Sequence, residues 1–243
     1  MEGIASELAK YLVECLKQTS SSSRLLVGIA GVPASGKSSL AKLVVEKTNA
    51  IINSASTDIS VRDTPHPTAI LVGLDGWHLT RAQLDGFPDP KLAHDKRGAH
   101  WTFDGISYVA FTRLLRQDLT PLTPIILAPS FDHAVKDPTP EAVSIHPYHR
   151  IVVIEGLYTI LSIDPWSEGA KLLDERWFLH VDLKEAKIRL VKRHVVTGVA
   201  KDLEEAIWRA EENDGPNGEF IMANMLDPTR IIESTDDPVF TLP

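Results

Sequence analysis

One stretch limits the architectures open to this chain more than any other. Gly31 to Ser39 read Gly-Val-Pro-Ala-Ser-Gly-Lys-Ser-Ser, a complete match to G-x-x-x-x-G-K-[ST]. An apolar run of strand length, Leu25 to Ala30, comes before it, and Leu40, Ala41, Leu43, Val44 and Val45 follow at helical spacing. Strand, glycine-bounded loop and helix in that order give the pattern a physical meaning. The glycines let the backbone curl so that successive N–H groups face inward, and the helix N-terminus adds positive field. Such a cradle suits a triphosphate. Gly31, Ala34, Ser35, Gly36, Lys37, Ser38 and Ser39 are the residues expected to form it. Lys37 would reach the β- and γ-phosphates, and the Ser38 hydroxyl would join the shell of a Mg²⁺ ion, which takes few protein ligands. ATP and Mg²⁺ are the expected ligands.

The chain has 243 residues, enough for one α/β domain with a substantial core. Lys plus Arg number 25 against 33 Asp plus Glu, a net charge of −8, which speaks against nucleic acid as a general partner. No apolar run approaches membrane-spanning length, and Met1 to Glu7 lack the basic start and apolar core of a signal peptide. The expectation is a cytoplasmic protein without a membrane partner, as a monomer or homodimer. A single cysteine, Cys15, excludes an internal disulfide and sits in an amphipathic pattern, as a buried small residue would.

Residues Ile4 to Gln18 read as a surface helix, and the helix after the phosphate loop is expected to end near Lys47. Asn49 to Pro67, rich in Ser, Thr, Asp and Pro, reads as an exposed loop. Ala69 to Leu74 form a second buried-strand pattern ending in Asp75-Gly76-Trp77-His78-Leu79. A carboxylate at the carboxyl end of a parallel strand lies on the ligand-binding edge of such sheets, so Asp75 is a candidate to accept a hydroxyl proton or help hold the metal. The alternative is a helix cap. Asp104 is the expected N-cap of a helix to Gln117, and Ile125 to Pro129 read as a short strand. The proline-punctuated region up to Arg150 reads as an excursion from the main sheet. Ile151 to Ile154, ending in Glu155-Gly156, is a third parallel-type strand, with Glu155 either beside the metal or a plain surface acid. Trp177 to Val181 and Arg230 to Ser234 complete a five-stranded parallel sheet with helices on both faces. Lys184, Lys187, Arg189, Lys192 and Arg193 cluster between the last two strands, with Arg189 and Arg193 on one helix face. They suit either a solvated face or a lid over the phosphates. A further helix is expected from Asp202, leading to the turn formers Asn213 to Gly218.

These elements together resemble the phosphoribulokinase, uridine kinase and pantothenate kinase family, and in particular its nucleoside or sugar kinase-like branch. The resemblance rests on the phosphate loop, Asp75 to Leu79, Arg97-Gly98-Ala99 with Thr102-Phe103-Asp104, Phe131-Asp132-His133, Val153 to Gly156, and Arg189 to His194. It covers roughly residues 24–234 of a single kinase domain. It implies a P-loop kinase fold with a small lid, about 184–218, and an acceptor-side excursion, about 81–150. ATP-dependent phosphorylation of a hydroxyl on a small metabolite is the implied activity. Asp75 is then the general base, Glu155 lies near Mg²⁺, and Lys37, Arg189 and Arg193 neutralise the transferred charge. His78, Arg97, Asp132, His133 and Tyr158 are implied to face the acceptor. The chain departs from the branch at Trp77, where Phe is usual, and at His100-Trp101, where Pro-Glu is usual. The second change alters charge and shape on the acceptor side. A nucleotide-dependent switch with slow hydrolysis is the competing reading.

Overall fold

The computed structural model describes residues 1–55, 68–132 and 135–235. Its centre is β1 (Leu25–Gly31), buried along its whole length. β5 (His149–Glu155) and β6 (Glu175–His180) flank it, β2 (Thr68–Gly73) lies beyond β5, and β7 (Arg230–Glu233) beyond β6. Every pairing in this five-stranded sheet is parallel. The strands at its centre read as unbroken apolar runs because both faces are covered. Leu25, Val27, Ile29, Ile151 and Val153 project into a core closed by α1 (Glu2–Gln18) and α2 (Lys37–Ala55). Leu26, Ala30, Val152 and Ile154 project into the opposite core. That core is closed by Tyr108 and Phe111 of α5 (Gly105–Leu115), Trp166 of α6 (Trp166–Lys171) and Ile221 of α9 (Gly215–Ala223). The expected fold is therefore the one observed, including Asp104 as the cap of α5, which accepts from the Ser107 amide at 3.0 Å.

Three local expectations change. First, α2 does not stop near Lys47 but runs to Ala55. Asn49 explains the difference: its side-chain nitrogen donates to Ala69 O at 2.9 Å and its oxygen accepts from Ala69 N at 2.7 Å, so one amide serves as a strand partner for β2. Ile52 then buries beneath the sheet. Residues 56–67 of the expected loop lie outside the described residues. Second, the strand expected at 125–129 is longer. β3 (Ile126–Asp132) pairs antiparallel with β4 (Asp137–Ile145) in a separate two-stranded sheet, where Pro129, Pro138 and Pro140 cost few ladder bonds. Third, the chain does not turn at 213–218. After α7 (Leu183–Val196) and α8 (Leu203–Arg209), a π-helical turn (Ala210–Asp214) leads straight into α9. The Gly215 amide bonds back to Ala210 O, and Pro216 falls at the start of α9, where its missing N–H is harmless. The excursion opens with two short helices, α3 (Arg81–Asp85) and α4 (Pro90–Asp95), capped by Thr80 and Asp89. Among the described residues no helix is long and apolar enough to cross a membrane.

Candidate active site

The loop between β1 and α2 has the shape its sequence demands. Ala34 and Gly36 take φ of 61° and 91°, left-handed values that turn the chain back on itself. At Gly31 a Cβ would stand 2.6 Å from Ser35 Oγ and 2.8 Å from Leu179 O, so only glycine fits. Since α2 begins at Lys37, the amides of its first turn have no intrahelical acceptor and remain available to an anion. These features fit a polyphosphate.

Register brings the acids to the same edge. Glu155, the last residue of β5, lies opposite Ile29 of β1 and Gly73 of β2. Ser38 Oγ donates to Glu155 Oε2 at 3.1 Å. Asp75 follows β2 in a 3₁₀ turn (Leu74–Trp77), with its side chain 45% exposed. Its carbonyl lies 2.8 Å from His78 Nδ1, and the His78 ring packs 3.9 Å from Phe103 and 4.9 Å from Phe131, centre to centre. Burial pushes the Glu155 carboxyl above its ordinary range, and the Asp75 charge adds to this, against Lys37 and the Ser38 hydroxyl. Burial lowers Lys37, aided by Arg193 and opposed by Glu155, Asp75 and Asp214. A carboxylate so placed gains from a nearby cation. A hydroxyl and two carboxylates are the hard oxygen donors that Mg²⁺ takes, and the donor set fits that ion. Among the described residues no three His, Cys, Asp or Glu converge as an all-protein metal cage.

The basic helix is α7. Arg193 lies within electrostatic reach of Lys37. Arg189 donates to Glu185 Oε1 at 2.9 Å and to Ser234 Oγ at 3.0 Å, and Ser234 donates to Ser35 O at 2.8 Å. Arg189 is thus wired to the phosphate loop through the residue after β7.

The residues expected to face the acceptor have separate fates. His78 stands beside Asp75, as above. Arg97 is a clasp: it donates to Leu79 O at 2.7 Å, to Asp137 at 2.9 Å and to Lys136 O, and its guanidinium carbon lies 5.5 Å from the Phe131 ring centre. Tyr158 is fully buried and donates to Gly98 O at 2.9 Å, so it braces the 97–99 turn from within the core. Asp132 ends β3, where its Oδ1 accepts from the Val135 amide at 3.3 Å, and His133 lies outside the described residues. His100 stacks on Phe220 at 4.6 Å, and Trp101 leans on Phe87 at 5.8 Å. Those two aromatic residues therefore join the 97–103 segment to α9 and to the connection between α3 and α4.

Sequence reasoning missed Asn213, Asp214 and Asn217. Asn213 donates to Arg97 O at 2.9 Å, Asn217 donates to Asn213 Oδ1 at 3.2 Å, and Asp214 Oδ2 pairs with His194 Nε2 at 2.9 Å. The i, i+4 spacing of the two asparagines was the available signal, and Gly215-Pro216 concealed it.

A parallel sheet with this strand order, a glycine-bounded cradle on the central strand and two acids on the same edge define a P-loop kinase. Comparisons with known proteins agree. "Putative uridine kinase C227.14" of Schizosaccharomyces pombe is 35% identical over 227 residues, covering 93% of this chain and 89% of that one. "ATP-dependent kinase-like protein notR'" of Aspergillus versicolor is 47% identical over 153 residues, 63% of this chain and 89% of that one. The crystal structure of YFH7 from Saccharomyces cerevisiae superimposes with a TM-score of 0.80 at 22% identity, over 96% of this chain and 99% of that one. No protein-family model matches. The chain belongs to the uridine kinase-like family of ATP-dependent P-loop kinases.

Proposed function

We propose that this protein transfers the terminal phosphoryl group of ATP to a hydroxyl of a small metabolite, with Mg²⁺. The observation that carries the reading is the shared edge of Lys37, Ser38, Glu155 and Asp75 at the carboxyl ends of adjacent strands. Gly31 to Ser39 bind the polyphosphate through backbone amides, and Lys37 adds a point charge. Ser38 and Glu155, with Asp75 nearby, would hold Mg²⁺, which when bound offsets phosphate charge. Asp75 is exposed enough to meet an acceptor and takes the hydroxyl proton as general base. Arg193, with Arg189 tethered beside it, offsets charge from the lid side, and the helices α7 to α9 exclude water when they close.

The test is ADP release with and without a pool of small hydroxylated metabolites. Stimulation by a small compound is the expected result. Stimulation only by a protein partner would favour a nucleotide-dependent switch instead.

A further inference from the structure

The hydroxyl of Ser234 donates to Ser35 O at 2.8 Å across 199 positions of chain, and it accepts from Arg189 Nη1 at 3.0 Å. Both directions are fixed, because a guanidinium only donates, a carbonyl only accepts and a hydroxyl has one proton to give. Ser234 is itself held by the sheet. It follows β7, where Glu233 lies opposite His180, and its amide donates to His180 O at 2.7 Å. Its partner on the phosphate loop has no such scaffold. Ser35 is fully buried, so solvent does not reach its carbonyl, and the next residue is Gly36 at φ 91°. Glycine takes positive and negative φ about equally well, so the backbone alone does little to stop the peptide between Ser35 and Gly36 from turning over.

We propose that Ser234 is a positioning residue for nucleotide binding, whose hydroxyl fixes the Ser35–Gly36 peptide with the Gly36 N–H facing the polyphosphate. In a trans peptide the C=O and the following N–H point in opposite directions. With Ser35 O held on the side of β7, the Gly36 N–H is turned away from that strand and into the loop. The reverse orientation would set a carbonyl, an acceptor, against an anion. It would also leave Ser35 O buried without a donor, and that penalty keeps the peptide in place. Arg189 strengthens the hold, since a hydroxyl that accepts from a cation is polarised into a better donor. Arg189 therefore acts on the nucleotide in two ways, through its own charge and through the aim of Gly36. The inference rests on the nucleotide-binding half of the reading above and is independent of the acceptor.

The experiment uses the full chain labelled with nitrogen-15 glycine, titrated with ADP and Mg²⁺, and the same titration followed by calorimetry. In the wild type ADP is expected to move the Gly36 amide resonance far more than that of Gly28, inside β1. In Ser234→Ala the Gly36 movement should shrink and ADP affinity fall about 10-fold, with affinity for adenosine unchanged. A purely structural loss would weaken both ligands alike and would not single out Gly36. Ser234→Thr keeps the hydroxyl and should restore ADP affinity to within about 3-fold. Ser234→Cys, a weaker donor of similar volume, should fall between the two, and it carries the test if the alanine variant does not fold. Arg189→Met should cost less ADP affinity in the Ser234→Ala background than in the wild type, as members of one hydrogen-bonded chain do. Unchanged ADP affinity in Ser234→Ala, an equal loss for ADP and adenosine, or an undiminished Gly36 response overturns the inference and leaves the nucleotide site standing. A wild type that binds no ADP would remove the nucleotide reading itself.

Discussion

Ser38 and Glu155 are 117 positions apart in the chain, yet the hydroxyl of one donates to the carboxylate of the other at 3.1 Å. The parallel register of β1 and β5 makes the pair, since it sets Ile29 opposite Glu155 just before the loop that carries Ser38. Each acid or cation added to this edge changes the ionisation of the rest. The electrostatics of the site are those of a group, not of single residues.

That coupling has a pH signature. Burial raises Glu155 above the ordinary value of 4.5, so the folded state binds this proton more tightly than the unfolded chain. For such a group ligand-free stability is greatest below the unfolded pKa and falls as pH rises through the folded one. Glu155→Gln removes this dependence. The Tm of the variant relative to the wild type should therefore rise as pH goes from below 4.5 to neutrality, and Mg²⁺ with nucleotide should then stabilise the wild type more. A Tm difference that stays flat across that range would contradict the burial argument.

Gly31→Ala places a methyl group against Ser35 Oγ and Leu179 O. The loop must shift to admit it, and the amides leave their aim. We expect nucleotide affinity to fall by about 10-fold or more, with Tm reduced in the absence of ligand. Titration calorimetry with a non-hydrolysable ATP analogue measures it, and unchanged affinity would show that the cradle tolerates a Cβ.

Asn49→Ala removes both bonds that join α2 to the Ala69 backbone. Loss of about 1–3 kcal/mol is expected, partly offset by the better helix propensity of alanine. At about 2–4 °C per kcal/mol for a chain of this size, thermal unfolding resolves it. A shift under about 1 °C would mean that water replaces the amide without cost.

Arg97→Lys keeps the charge but cannot reproduce the fork that grips Leu79 O, Lys136 O and Asp137 together. The β3–β4 hairpin should loosen, with amide hydrogen exchange in residues 126–132 and 137–145 faster by about 10-fold while β1 stays protected. Equal protection in both would show that the hairpin is held by its own pairing and packing.

Much of this architecture is legible in the sequence because its cause is local. A buried parallel strand is an unbroken apolar run, and the phosphate loop is contiguous, so Leu25 to Ser39 announce themselves. Asp75 and Glu155 are legible because each closes such a run. What the sequence concealed depends on partners distant along the chain. Asn49 looks like a loop residue until Ala69 is beside it. Arg97, read as facing an acceptor, finds its partners at Leu79, Lys136 and Asp137. Asp214 sits among Gly215, Pro216 and Gly218, whose composition says turn, whereas a π-helical turn lets the helix pass through.

The central claim is that Asp75 deprotonates an acceptor presented to a phosphoryl group held by residues 31–39. It is tested most directly by following a labelled γ-phosphate from ATP to a pool of small hydroxylated metabolites, in the wild type and in Asp75→Asn. The expected result is label on the acceptor, with the variant about 10²-fold slower or more and ATP affinity nearly unchanged. Transfer by Asp75→Asn at the wild-type rate, or label appearing only as free phosphate, would contradict it.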